Sequence, residues 1–182
     1  MLCFGAVGEI YKQAVNYMYF GMDDNPMLFL ERLTDSDANE LTIIFSKSIM
    51  RKPTSEENKA AANGNEALLK ILNGTMSIDP DPEQVYKVYF DDYILYQTRN
   101  ERFCMFDPDE ARIGKGLIIY EKSKLLDHLY TFTPFLLEGE DGYPGGVWKH
   151  YQIITAQHVV DVVSHREPVI EKIKLGDYNL VV

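Results

Sequence analysis

The stretch QVYKVYFDDYILYQTRNERFCMF, residues 84–106, most constrains what this chain can fold into. Residues 85–90 and 93–98 are dense in aromatic and β-branched side chains and flank Asp91-Asp92, the composition of two strands over a short turn. A two-residue loop sets Phe90 opposite Tyr93, Tyr89 opposite Ile94 and Val88 opposite Leu95. Alternation then assigns Tyr86, Val88, Phe90, Tyr93, Leu95 and Gln97 to one face, the greasier and hence the expected core side. Val85, Lys87, Tyr89, Ile94, Tyr96 and Thr98 fall on the other. The turn is imperfect, because the tightest hairpins need positive φ at both central positions and favour Asn-Gly or Asp-Gly. A longer loop or a bulge is open, and a slip of one residue would exchange the two faces. Residues 151–155, Ala156-Gln157 and residues 158–164 repeat the form as a second hairpin.

Upstream, apolar spacing reads as helical. A helix is expected over residues 8–20 and a short one over 27–33. A third starts at Ser36 and carries Leu41, Ile44, Phe45, Ser48 and Ile49 at i, i+3, i+4, i+7 and i+8. Pro53 stops it, and Thr54 with Glu57 forms a capping-box pattern for the next. Gly64 interrupts that helix, Asn65 caps another to Leu72, and Asn73-Gly74 ends it. Its stripe of Leu68, Leu69, Ile71 and Leu72 is expected in the core. The acidic, proline-containing residues 75–83 read as a linker. Beyond the first hairpin, a strand is expected over 102–106 and another over 117–120. Ser123 caps a short helix with Leu125, Leu126 and Leu129. Residues 131–137 read as extended, 139–146 as a loop, and 169–173 and 178–182 as alternating strands, one of them an edge. The expected fold class is therefore α+β: N-terminal helices packed on a mainly antiparallel sheet built from two hairpins. One domain is expected over 1–182, with a helical half 1–74, a linker 75–83 and a sheet-rich half 84–182.

Composition narrows the function. The net charge of −10 and pI near 4.8 oppose nucleic acid, whose binding rests on neutralising phosphates. The same field favours basic partners. Two cysteines, Cys3 and Cys104, do not make a disulfide framework. The opening residues lack a basic start and carry Glu9, and no window reaches the ~18 apolar residues of a membrane span. Cytoplasmic residence and no membrane partner are the expectation.

Motifs for chemistry are sparse. Lys115 in Gly114-Lys115-Gly116 is not followed by Ser or Thr, and a strand comes next, so a phosphate loop is not expected. No Cys-x-x-Cys or His-Glu-x-x-His occurs, so neither a metal nor a cofactor is expected. His158 and Asp161 look like a dyad, but i and i+3 of a strand point to opposite faces. His150 and His165 flank the second hairpin. With His158 they form the alternative site, a carboxylate/His pocket of a small hydrolase between helices and sheet.

The preferred candidates are Tyr89 and Tyr96, with Lys87, Asp91 and Asp92 beside them on the first hairpin. Tyrosine offers an apolar ring with a polar tip, suited to partner recognition. Size, acidity and the helices-then-sheet order resemble small bacterial immunity proteins, which neutralise toxins; the resemblance is one of layout and carries no residues across. The expected function is a non-enzymatic binding protein for a basic protein partner, immunity- or inhibitor-like. A homodimer through an edge strand is the remaining alternative.

Overall fold

The computed structural model describes residues 27–132, 147–174 and 176. They form two antiparallel sheets. The first is ordered β1 (Leu28–Asp35), β2 (Leu41–Arg51), β3 (Ser77–Phe90) and β9 (Val169–Ile173). The second is ordered β4 (Leu95–Asn100), β8 (His158–Ser164), β7 (Lys149–Ile154), β6 (Leu117–Lys122) and β5 (Ala111–Ile113). The three helices among the described residues are α1 (Ser55–Ala62), α2 (Glu66–Leu72) and α3 (Lys124–Phe132).

This corrects the expected α+β layout: the described chain is mostly strand, in two sheets, not N-terminal helices laid on one. The expected helix over 8–20 and the strand over 178–182 lie outside the described residues, as does most of 131–146. The short helix over 27–33 is instead β1, and the stripe from Leu41 to Ile49 lies on β2. That stripe satisfied the helical period, but Leu41, Ile43 and Phe45 also alternate, and all three are fully buried. The β-branched run Thr42, Ile43, Ile44 favours a pleated strand over a helix turn. Ser36, read as a helix cap, closes the hairpin loop over 36–40. Its hydroxyl accepts from the Ala38 and Glu40 amides, its own amide donates to the Glu40 carbonyl, and Asn39 takes φ 62°.

The expected 84–106 hairpin does not form. β3 pairs with β2 and β9, whereas β4 pairs with β8 in the other sheet. Asp91 and Asp92 carry the chain across between sheets, held by Ser164 Oγ on the Asp92 carbonyl and by the Ile94 amide on Val163 O. Lacking glycine, the pair makes a poor tight turn, and each strand gains a complete ladder elsewhere. The second hairpin forms as expected: Ile154 faces Val159 across Ala156-Gln157. β6 and the Ser123-capped α3 also form, and β9 is at an edge among the described strands. Residues 101–106 are a 3₁₀ turn (Glu101–Phe103) and coil, with Phe103, Met105 and Phe106 exposed.

The acidic linker is strand. Ser77, Ile78, Asp79 and Pro80 pair with Arg51, Met50, Ile49 and Ser48 of β2. β9 reaches only Val85–Tyr89, so among the described residues the other side of this prolonged strand bears no ladder, which tolerates proline. α1 and α2 replace the hairpin turn between β2 and β3. The Thr54/Glu57 capping box forms as the sequence indicates, and the interruption expected at Gly64 is a break whose left-handed cap is Asn63, with both Asn63 and Gly64 at positive φ. The α2 stripe, however, is not core: Leu68 and Ile71 are exposed.

The sheets face each other across one core. Ile43, Phe45, Val88 and Phe90 from the first meet Ile119, Tyr151, Ile153 and Val160 from the second. Phe90 and Tyr151 meet edge to face at 5.4 Å, and the Ala156 amide donates to the Leu28 carbonyl.

Candidate functional site

Two places gather chemistry-bearing side chains. The first is the end of the molecule where the 36–40 loop and the 91–94 crossover lie side by side, a consequence of Leu41 facing Phe90 in the ladder. Tyr89 donates its hydroxyl to Glu40 Oε1 at 2.8 Å, and Tyr93 reaches Asp35 Oδ2 at 3.5 Å. Tyr93 and Tyr96 meet edge to face at 5.1 Å. The hydrogen bond to Glu40 raises the Tyr89 pKa; burial, with the Asp35 carboxylate, raises those of Tyr93 and Tyr96. Among the described residues, no Lys or Arg lies within ion-pair distance of Asp35 or Glu40.

The sequence candidates divide here. Tyr89 and Tyr96 do not share a face, because they stand in different sheets; Tyr89 lies on the outer side of the first and Tyr96 packs against the core. They nevertheless come to the same end. Lys87 sits over the Tyr89 ring at 5.3 Å, with Glu171 3.8 Å from its amine. Asp91 is bonded to Arg166, and Asp92 lies 3.8 Å from His165. Sequence reasoning misses Asp35, Glu40 and Tyr93 as members, because a helix start at Ser36 hides the hairpin that brings Asp35 and Glu40 together.

The second place is the outer face of the second sheet. Gln97 and Arg99 from β4, Asp161 from β8, His150 and Gln152 from β7 and Tyr120 from β6 fall on it at alternate positions. Asp161 is completely buried. Its Oδ1 accepts from Gln152 Nε2 at 2.7 Å and from His150 Nε2 at 3.1 Å. Its Oδ2 accepts from Gln97 Nε2 and Arg99 Nε, each at 3.0 Å, and lies 2.8 Å from Arg99 Nη2 in an ion pair. Burial pushes this carboxyl up, but the His150, Gln152 and Gln97 hydrogen bonds and the Arg99 charge outweigh it and hold it below its ordinary value. Tyr120 stacks on His150 at 4.1 Å and donates to Gln152 Oε1.

His150 Nδ1 lies 2.8 Å from Ser123 Oγ, which completes a Ser123–His150–Asp161 row. Facing a carboxylate, Nε2 carries a proton that it donates to Asp161, and Nδ1 shares a hydrogen bond with the Ser123 hydroxyl. Ser123 Oγ in turn caps α3 by accepting from the Leu126 amide. Ser123 is buried and is not part of the lining of the adjacent cleft, and both His150 nitrogens are engaged. The row therefore ties α3 to β7 and β8.

That cleft, of about 180 Å³, opens between this sheet face, the loop carrying Met105, Phe106 and Glu110, and Leu125 of α3. The expected histidine site is not assembled. His150 is on its floor, His158 is exposed at the β7–β8 turn, and His165 faces Asp92 near the other place. The true partner of Asp161 is His150 across the hairpin, not His158 along the strand. No group of three or more metal-ligating side chains occurs among the described residues. No helix among them is long and apolar enough to cross a membrane. Compared with family models, curated proteins and solved structures, the chain matches none.

Proposed function

We propose that this protein is a non-enzymatic binding protein that holds a basic protein partner, in the manner of an inhibitor or immunity protein. The observation that carries the reading is the convergence of Tyr89 and Tyr93 on Glu40 and Asp35. Tyrosine hydroxyls hold these carboxylates in place, so a Lys or Arg from a partner meets preoriented acceptors beside aromatic rings. The net charge of −10 steers such a partner toward the chain. Cytoplasmic residence belongs to the same proposal, supported by a cysteine content too low for a disulfide framework.

The test is capture from the native host at low salt, with wild type and an Asp35→Asn/Glu40→Gln variant side by side. A basic protein retained by wild type, released by rising salt and lost with the variant is the expected result. Equal retention by the two baits, or none by either, sinks the reading. A homodimer through an edge strand is the second proposal, favoured by β9, which among the described residues pairs on one side only and exposes Val169. Light scattering that returns a monomer at micromolar concentration removes it.

A further inference from the structure

The cleft on the outer face of the second sheet has a feature its structural role does not use. Asp161 Oδ2 holds the Nε side of the Arg99 guanidinium, accepting from Nε at 3.0 Å with Nη2 2.8 Å away. The Nη1 edge has no partner among the described residues, and the Arg99 side chain is 42% exposed. Glu110, on the facing loop, accepts the Lys124 amide at Oε1 and leaves Oε2 unengaged among the described residues. Both residues line the cleft, whose remaining wall is apolar: Met105, Phe106, Leu125 and Val159. Gln97 gives its Nε2 to Asp161 and leaves its Oε1 unengaged among the described residues, and the remaining polar groups of the floor are turned on one another. His150 uses both ring nitrogens, Gln152 both amide atoms, and Tyr120 its hydroxyl.

We propose that this cleft binds a small zwitterion with an apolar side chain, of the free amino-acid class, its carboxylate on Arg99 and its ammonium on Glu110. The argument is one of matching. A single anion would be met by Arg99 but opposed by Glu110, and a single cation the reverse. A neutral apolar molecule would leave both charges dehydrated and unpaired, which is costly. A ligand carrying both charges satisfies each and lays its hydrocarbon on Leu125 and Val159, since the Arg112 guanidinium already stacks on the Phe106 ring at 3.6 Å. Size agrees: a cavity of about 150 Å³ accommodates benzene, so this one suits a ligand of the size of leucine. The buried Asp161 gives the site rigidity, since Arg99 cannot swing away without breaking its own ion pair.

The experiment is a titration of the isotopically labelled full chain, followed by NMR, with leucine, 4-methylpentanoate and isoamylamine. Leucine carries both charges and the other two, which share its hydrocarbon, one each. Leucine is expected to shift the Arg99 Nε and Gln97 side-chain signals saturably, and to bind about tenfold tighter than either analogue, the equivalent of one charge-assisted hydrogen bond. Glu110→Gln, which keeps an acceptor for the Lys124 amide and lies outside the Asp161 network, is expected to bind leucine and 4-methylpentanoate alike. Three results overturn the proposal: no saturation with leucine, leucine no tighter than 4-methylpentanoate on wild type, or an undiminished leucine preference in Glu110→Gln.

Discussion

Replacing Asp161 by asparagine tests whether the buried carboxylate organises the second sheet. The change keeps shape and removes charge. Oδ1 serves Gln152 and His150, both buried; Oδ2 serves Gln97, half-buried, and Arg99, which reaches solvent. The amide oxygen of asparagine is therefore expected on the Gln152/His150 side, where lost acceptors cost most. Its NH₂ then points at the donors of Gln97 and Arg99, which must turn to water. Hydrogen bonds to a charged group contribute roughly 1.5–3 kcal/mol each, and breaking a buried charge pair from one side costs about 3–5 kcal/mol. With part of the loss recovered by solvent, Asp161→Asn is expected to cost about 2–4 kcal/mol. Urea unfolding reads this as a midpoint lower by roughly 1–2 M at a slope of about 2 kcal/mol per M. The pH dependence has a definite sign. The folded pKa is depressed, so the stabilisation is present above the unfolded value and is lost as pH falls through the lower, folded one. The gap between wild type and variant should be full at neutral pH and shrink below about pH 4. A gap under about 1 kcal/mol at neutral pH, or one unchanged down to strong acid, refutes the reasoning.

Phe45→Ala, at a fully buried position between the sheets, is expected to cost about 3–5 kcal/mol by calorimetry; under about 1 kcal/mol would mean that the sheets do not pack there. Thr54→Ala removes the side-chain half of the α1 capping box and should cost about 1 kcal/mol in chemical denaturation, with no loss meaning that the cap is idle. The Glu57 carboxyl, hydrogen-bonded by Arg51 and by Thr54, is lowered to about 2. Carbon-detected titration should find it there, and Arg51→Ala should return it toward the ordinary glutamate range.

Local signals in the sequence were reliable where one element answered to its own residues. The capping box at Thr54, the left-handed stop at Asn63-Gly64 and the Ala156-Gln157 hairpin all depend on groups a few residues apart. Half of the buried polar network was legible the same way. With that turn, Gln152 stands opposite Asp161 and His150 one pleat along, three polar residues on one face of an otherwise apolar hairpin. Reading along the strand to His158, instead of across it, hid the pair.

The sequence by itself determined the acidic charge, the alternation that buries Val88 and Phe90, the helix caps and the second hairpin, because neighbouring residues settle each of these. Only the tertiary structure decided that Leu41 to Ile49 is a strand, that residues 90 and 95 belong to different sheets, and that Gln97 and Arg99 reach Asp161. A period that suits both a helix and a strand is resolved by which surface a partner strand can cover. Partner choice is a contest between ladders far apart in the chain, to which no local propensity has access.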